Sequence, residues 1–182
     1  METTALILID IQNDYFPGGA LPLVQPEQAA EQAGLLLDEW RAKGQPVIHV
    51  RHHMAPGVEL PFLRKGTPGA EIFARVAPQG AEPVITKHFP SAFTGTELED
   101  ILAQSGAKRL VIAGMMTHMC VSATSRAAME RGYHVTVPRD ATATRDLEDG
   151  GEVVPAVLVA SAHLAALAGG VADVTTTAAV LT

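Results

Sequence analysis

The chain has 182 residues, 47% of them hydrophobic and 18% charged, a globular composition long enough to bury a sizeable core and unlike a disordered chain. Its formal net charge of −7 and 4% aromatic content argue against a phosphate-backbone binder and against a stacking platform for single-stranded nucleic acid. One cysteine, Cys120, cannot close an internal disulfide, and the apolar run Ala5–Ile9 is too short for a secretory signal or a membrane span, so a cytoplasmic protein with no nucleic-acid or membrane partner is expected.

In chain order, Ala5 to Asp10 reads as a strand covered on both faces. Pro26 to Lys43 carries Leu35, Leu36, Leu37 and Trp40 at helical spacing, opens on Pro26 and stops before Gly44. Pro46 to Arg51 and Pro83 to Thr86 read as second and third strands. The connection between them, His52 to Glu82, has the length of a functional loop rather than a turn. A helix is predicted from Thr94 or Gly95 to Ser105, a fourth strand over Arg109 to Ala113, and a helix from about His118 to Arg131 closed by Gly132. Tyr133 to Val137 is a fifth strand, Gly151 to Ala168 a further helix, and Val171 to Val174 a sixth strand. No repeat, low-complexity tract or linker divides the chain, so residues 1–182 read as one domain. Strands alternating with helices predict a mostly parallel six-stranded α/β sheet with helices on both faces. Ligands of such sheets bind at the carboxyl ends of the strands, where the topology switches.

Three polar groups fall at those ends: Asp10 after the first strand, Lys87 after the third and Cys120 just past the fourth. Taken singly each has a plain reading. Asp10 braces a turn with Asn13 and Asp14, Lys87 is a solvated lysine, and Cys120 is a small buried hydrophobe. Taken together they fit thiol chemistry. A carboxylate can take a thiol proton and later return it to a leaving amine or alcohol, while an ammonium keeps both anions charged. Cys120 sits at a predicted helix start, where unpaired N–H groups and the helix dipole favour thiolate; with Lys87 nearby, thiolate is expected well below the free-thiol pKa.

The segment Asp10-Ile-Gln-Asn-Asp14-Tyr-Phe-Pro-Gly-Gly-Ala-Leu resembles the first signature of the isochorismatase-like cysteine hydrolases. Lys87-His-Phe-Pro-Ser-Ala-Phe-Thr-Gly-Thr-Glu-Leu resembles the second. The third is resembled by Gly114-Met-Met-Thr117-His-Met-Cys120-Val-Ser-Ala-Thr124-Ser-Arg-Ala-Ala-Met-Glu-Arg-Gly132-Tyr133, followed by Pro138-Arg-Asp140-Ala141. The blocks run in the family's order from about Leu6 to Ala143. This resemblance implies a three-layer α/β sandwich and a catalytic triad of Asp10, Lys87 and Cys120. It also implies an oxyanion hole from the backbone N–H groups of Met116 and Cys120 and a cis peptide bond between Met115 and Met116. The implied chemistry is hydrolysis of a C–N bond in a small amide, carbamoyl or lactam substrate through a thioester, with no cofactor. Members commonly form dimers or tetramers, and the apolar stretch Val153 to Leu167 fits a homo-oligomer.

Around this centre, Gln12 either orients Asp10 or satisfies turn backbone, and Arg51 or His52, at the end of strand two, is expected to read a polar substrate group. Thr117 is expected to cap the cysteine's helix and Asp140 to anchor the turn after strand five. Phe16, Phe89 and Phe93 read as part core, part pocket wall. Nicotinamidases of the same superfamily place an Asp and three His as metal ligands after strand two. This chain has His49, Arg51, His52 and His53 there, then no histidine until His88 and no Asp, and adjacent His52 and His53 point apart on an extended backbone. No metal is therefore expected. A metal-dependent nicotinamidase and a catalytically idle binding protein are the alternatives.

Overall fold

The structure, a computed structural model, describes residues 2–55 and 57–182. The chain runs β1 (Thr4–Ile9), α1 (Pro26–Ala42), β2 (Val47–His52), β3 (Val84–Lys87), α2 (Leu98–Ser105), β4 (Arg109–Met115), a wide π-type turn (Thr117–Val121) and α3 (Ser122–Glu130). It continues through β5 (His134–Pro138), β6 (Thr142–Ala143), β7 (Leu147–Asp149), β8 (Glu152–Val154), α4 (Ala156–Ala168), β9 (Asp173–Thr175) and α5 (Thr177–Leu181). The main sheet has the order β3-β2-β1-β4-β5-β9, every pairing parallel, with β6 adding a short parallel rung beside β4. The fold is the three-layer α/β arrangement expected from the sequence, with seven strands rather than six because the two-residue β6 joins the sheet.

Both sheet faces are apolar because both are covered. Leu6 and Leu8 face Leu36, Leu37 and Trp40 of α1, whereas Ile7 and Ile9 face Leu98 and Leu102 of α2, Val121, and Leu164 and Leu167 of α4. Leu6 to Ile9 are each at most 2% exposed, and burying each side chain is worth on the order of 1.5–3 kcal/mol. The chain builds outward from β1 to β3, then returns to the other side of β1 for β4. The crevice where the order reverses lies between the carboxyl ends of β1 and β4. Gly114 lets these two strands approach: its φ is +132°, and a Cβ there would overlap the Ile9 carbonyl. Gly114→Ala is expected to cost at least about 3 kcal/mol, read from urea unfolding.

Four features differ from the sequence expectation. The predicted helix over Gly151 to Ala168 starts only at Ala156, because Pro155 occupies its N-cap and a residue preceding proline is held out of the helical region. Ahead of it, β7 and β8 form an antiparallel hairpin whose turn, Gly150 and Gly151, has φ of 59° and 85°, as a two-residue hairpin loop requires. Helix α2 begins at Leu98; Thr94 to Glu97 form turns, with Thr96 Oγ1 accepting from the Leu98 N–H. Short α5, capped by Thr176, is additional. Its start is tied to Asp140, whose Oδ1 accepts from the N–H and hydroxyl of Thr177 at 2.8 and 3.0 Å, so Asp140 anchors structure.

The long connection is pinned at its far end. Arg41 reaches Glu82 with two bonds of 2.7 Å, and buried His49 meets the same carboxylate at 2.9 Å. The Arg41 hydrogen bonds lower Glu82 to about 2. An acid lowered from 4.5 stabilises the fold fully above its unfolded pKa and progressively loses that contribution as pH falls from 4.5 to about 2. Urea midpoints measured between pH 6 and pH 3 should therefore fall less steeply for Glu82→Gln than for the wild type.

Candidate active site

Asp10 is the first residue beyond β1. Its φ of 51° places it in the left-handed region, which Asp tolerates better than most residues. The Asp10 N–H still donates to the Val50 carbonyl, continuing the ladder, while the Gln12 N–H bonds back to the Asp10 carbonyl at 2.9 Å. This tight exit turns a fully buried carboxylate under the crevice. Lys87 ends β3 and is also fully buried. Cys120 lies in the π-type turn after β4, 6% exposed, and the Met115–Met116 peptide bond just before that turn is cis.

The ammonium of Lys87 joins them. Its Nζ lies 2.7 Å from Asp10 Oδ2, 3.1 Å from Cys120 Sγ and 3.0 Å from His52 Nδ1. The Asp10 contact is an ion pair by distance rather than an aligned hydrogen bond, and Asp10 Oδ1 meets no donor among the described residues. His52 Nδ1 faces an ammonium and must be the accepting nitrogen, which puts the ring proton on Nε2. Burial, then the neighbouring Lys87, lowers His52 to about 3, so its ring is neutral.

Protonation in the cluster follows from burial and pairing. Burial raises Asp10 above the usual carboxylate range, and Lys87 only partly offsets this. For Lys87 burial disfavours the charge, but Asp10 and Cys120 outweigh it and hold the ammonium. Cys120 is pushed up to about 12, by burial first and then by the Asp10 carboxylate, with Lys87 partly opposing. The resting set is therefore carboxylate, ammonium and thiol. This corrects the expectation of a thiolate well below the free-thiol range: a helix start and one lysine do not outweigh burial beside a carboxylate. Alkylation of Cys120 should accelerate with pH beyond pH 9 with no plateau near 8.5. Asp10→Asn should shift its rate profile to lower pH, and Lys87→Met to higher pH.

The remaining expected groups divide. His52 joins the cluster. Arg51, next along β2, lies on the opposite face, where its Nε donates to Thr86 Oγ1 at 2.9 Å, so it is not brought to the crevice. Fully buried Gln12 spends both ends of its amide on backbone. Its Nε2 donates to the carbonyls of His52 at 3.0 Å and Ala70 at 2.7 Å, and its Oε1 accepts from the His52 N–H at 2.7 Å. The Gln12 side chain thus braces the backbone that presents His52 and makes no hydrogen bond to the Asp10 carboxylate. The N-cap of the cysteine's turn is Met116 rather than Thr117, whose buried hydroxyl has no partner among the described residues. Phe16 and Phe93 are buried whereas Phe89 is 56% exposed. Phe16 stacks on Phe73 at 3.7 Å between ring centroids, closing the loop foot over the β1 exit.

His49, His52 and His53 do not share a point. His49 turns to Glu82 and His52 to Lys87, while the His53 backbone N–H extends the ladder to the Lys87 carbonyl. Sequence reasoning missed Tyr15, which is 2% exposed; burial and then the nearby Asp10 and Cys120 raise it well above its ordinary value. Its place in Asp14-Tyr15-Phe16, directly after the Asp10 turn, was the available signal.

The parallel α/β sheet thus brings an acid, an ammonium and a thiol together at the carboxyl ends of its strands, by its switch point. A sequence model of the Isochorismatase domain matches residues 4–179, and the chain belongs to the isochorismatase family of hydrolases. It is 48% identical over 179 residues to the isochorismatase family protein YddQ of Bacillus subtilis strain 168, covering 98% of this chain and 99% of that one. It is 35% identical over 155 residues to a maleamate amidohydrolase of Pseudomonas putida, covering 78% of this chain and 72% of the relative. A crystal structure from Oleispira antarctica assigned to the isochorismatase hydrolases superposes with a TM-score of 0.94 at 45% identity, covering 99% of this chain and 96% of the other.

Proposed function

We propose that the chain is a cysteine-dependent hydrolase that cleaves a C–N bond of a small amide, carbamoyl or lactam substrate through a thioester on Cys120. The observation that carries this reading is the Lys87 ammonium held between Asp10 and Cys120 at 2.7 and 3.1 Å, with all three residues buried. As the carbonyl arrives, Asp10 takes the Cys120 proton and the sulfur forms a bond to the carbonyl carbon. The resulting oxyanion is met by the backbone N–H groups of Met116 and Cys120; the Met116 N–H has no backbone acceptor among the described residues. The C–N bond then breaks and the amine leaves with the proton from Asp10. Asp10 next activates a water, which attacks the thioester and restores the thiol. Lys87 stays charged throughout, offsetting each anion in turn. The relative named for maleamate supports an amide as the bond class.

The same reading treats residues 1–182 as one hydrolase domain acting in the cytoplasm on a small molecule. Among the described residues no helix is long and apolar enough to cross a membrane. Val153, Val157 and Leu158 are 61%, 72% and 58% exposed, an apolar face on β8 and α4 suited to a second copy of the chain. Light scattering should give a multiple of 19.1 kDa; the monomer mass would remove the oligomer. The decisive experiment assays nicotinamide, small ureido acids and lactams with wild type and Cys120→Ala, with acid-quenched mass spectrometry for an acyl adduct on Cys120. Turnover that survives in Cys120→Ala would overturn the mechanism.

A further inference from the structure

Three lone-pair donors of different chemistry converge on one point: the Asp10 carboxylate, His52 Nδ1 and Cys120 Sγ, all within 4.8 Å of one another. The Lys87 ammonium occupies that point, at 2.7, 3.0 and 3.1 Å from the three atoms. One carboxylate oxygen, Asp10 Oδ1, is buried there without a donor. An oxygen, a nitrogen and a sulfur about a common centre are three of the four donors of a tetrahedral zinc site, and the fourth direction is taken here by the stem of Lys87 itself. Zinc bonds are about 2.0–2.2 Å to oxygen, 2.0–2.1 Å to nitrogen and 2.3 Å to sulfur, so each donor would need to close in by about 0.5–1 Å.

We propose that Asp10, His52 and Cys120 form a latent binding site for a thiophilic divalent cation such as Zn2+ or Cd2+, whose place is held by the Lys87 ammonium. A metal entering the site displaces that ammonium and ties up the sulfur as thiolate, the thiol proton leaving to solvent. The lysine thereby has a second role beside its electrostatic one: it keeps the cysteine free of soft metals. Binding is consequently reversible and weak in the wild type, and strong once the side chain is shortened. Carboxylate and carbonyl ligands alone would suit Mg2+ or Ca2+, but the sulfur and imidazole select against those ions.

The test reads metal binding rather than turnover, so its failure is separate from failure of the hydrolase reading. Lys87→Ala should take up one Co2+ per chain at least a hundredfold more tightly than the wild type. It should show a sulfur-to-cobalt charge-transfer absorption that disappears in the double variant Lys87→Ala, Cys120→Ala. In the wild type, Zn2+ should slow alkylation of Cys120, and a chelator should restore the rate. Equal Co2+ affinity in the two proteins, or an absorption that survives loss of Cys120, would overturn the proposal. If Lys87→Ala does not fold, the wild-type measurement decides alone, with unprotected Cys120 at saturating Zn2+ as the refuting result.

Discussion

Replacing Cys120 by Ala should leave a folded protein whose hydrolysis of its best amide has fallen by at least about ten-thousandfold, because the acyl group then has nowhere to reside. Asp10→Asn should come close to the same loss while keeping Cys120 present. An asparagine cannot take the proton of a thiol that burial still pushes up, so the carboxylate that would generate the nucleophile at neutral pH is gone. The two variants differ in a way that identifies the roles. Asp10→Asn retains a sulfur that an alkylating reagent can label, and by removing the neighbouring anion it eases ionisation of that sulfur. Single-turnover kinetics and labelling stoichiometry separate them. Ordinary turnover in Asp10→Asn would remove the carboxylate from the mechanism.

Lys87→Met carries the second large effect, on stability as well as on rate. The substitution keeps the length of the side chain and removes the charge, leaving a carboxylate with no exposure facing no cation. Breaking one side of a buried pair costs about 3–5 kcal/mol. Asp10 limits the damage by taking up a proton, since burial already raises its pKa. A protonated Asp10 cannot act as the base, so activity should fall by about a thousandfold. Urea unfolding and steady-state kinetics read the two halves. His52→Ala offers the milder comparison, because it removes an acceptor from the ammonium at 3.0 Å and leaves the ion pair in place.

The layered sheet was legible because continuous apolar strands such as Leu6 to Ile9 and Leu110 to Ala113 permit no other packing. The triad was legible because its members are punctuation marks at strand ends, where such sheets present chemistry. What sequence hid was set by tertiary surroundings. Whether Cys120 rests as thiol or thiolate depends on how deeply it lies and on an acid more than a hundred residues earlier in the chain. Gln12 could be narrowed to two roles but not to one, since its three partners come from the β2 exit and the distant Ala70 segment. Arg51 and His52 are neighbours on a strand and therefore face opposite ways. Only the register His52 with Lys87 shows which of them meets the cluster. The hairpin before α4 was hidden by the apolar valines of Val153 and Val154, which fit a helix or a strand until Pro155 and the two glycines are given their due.

The feet of the long connection carry an implication for how this scaffold can diversify. Gln12 ties Ala70, Asn13 Nδ2 reaches the Pro68 carbonyl at 2.9 Å, and buried Asp14 accepts from the N–H groups of Leu63 at 2.6 Å and Ala20 at 3.1 Å. All three anchoring side chains belong to the few residues that follow Asp10. Among the described residues, the stretch before Leu63, with Val58 and Leu60 exposed at 47% and 42%, makes none of these ties. The feet of the connection are thus tied down by side chains near Asp10, whereas its tip is not tied by them. Grafting a different tip between Ala55 and Phe62 should therefore leave the Asp10–Lys87–Cys120 cluster in place, which urea unfolding and Cys120 alkylation of the graft would check.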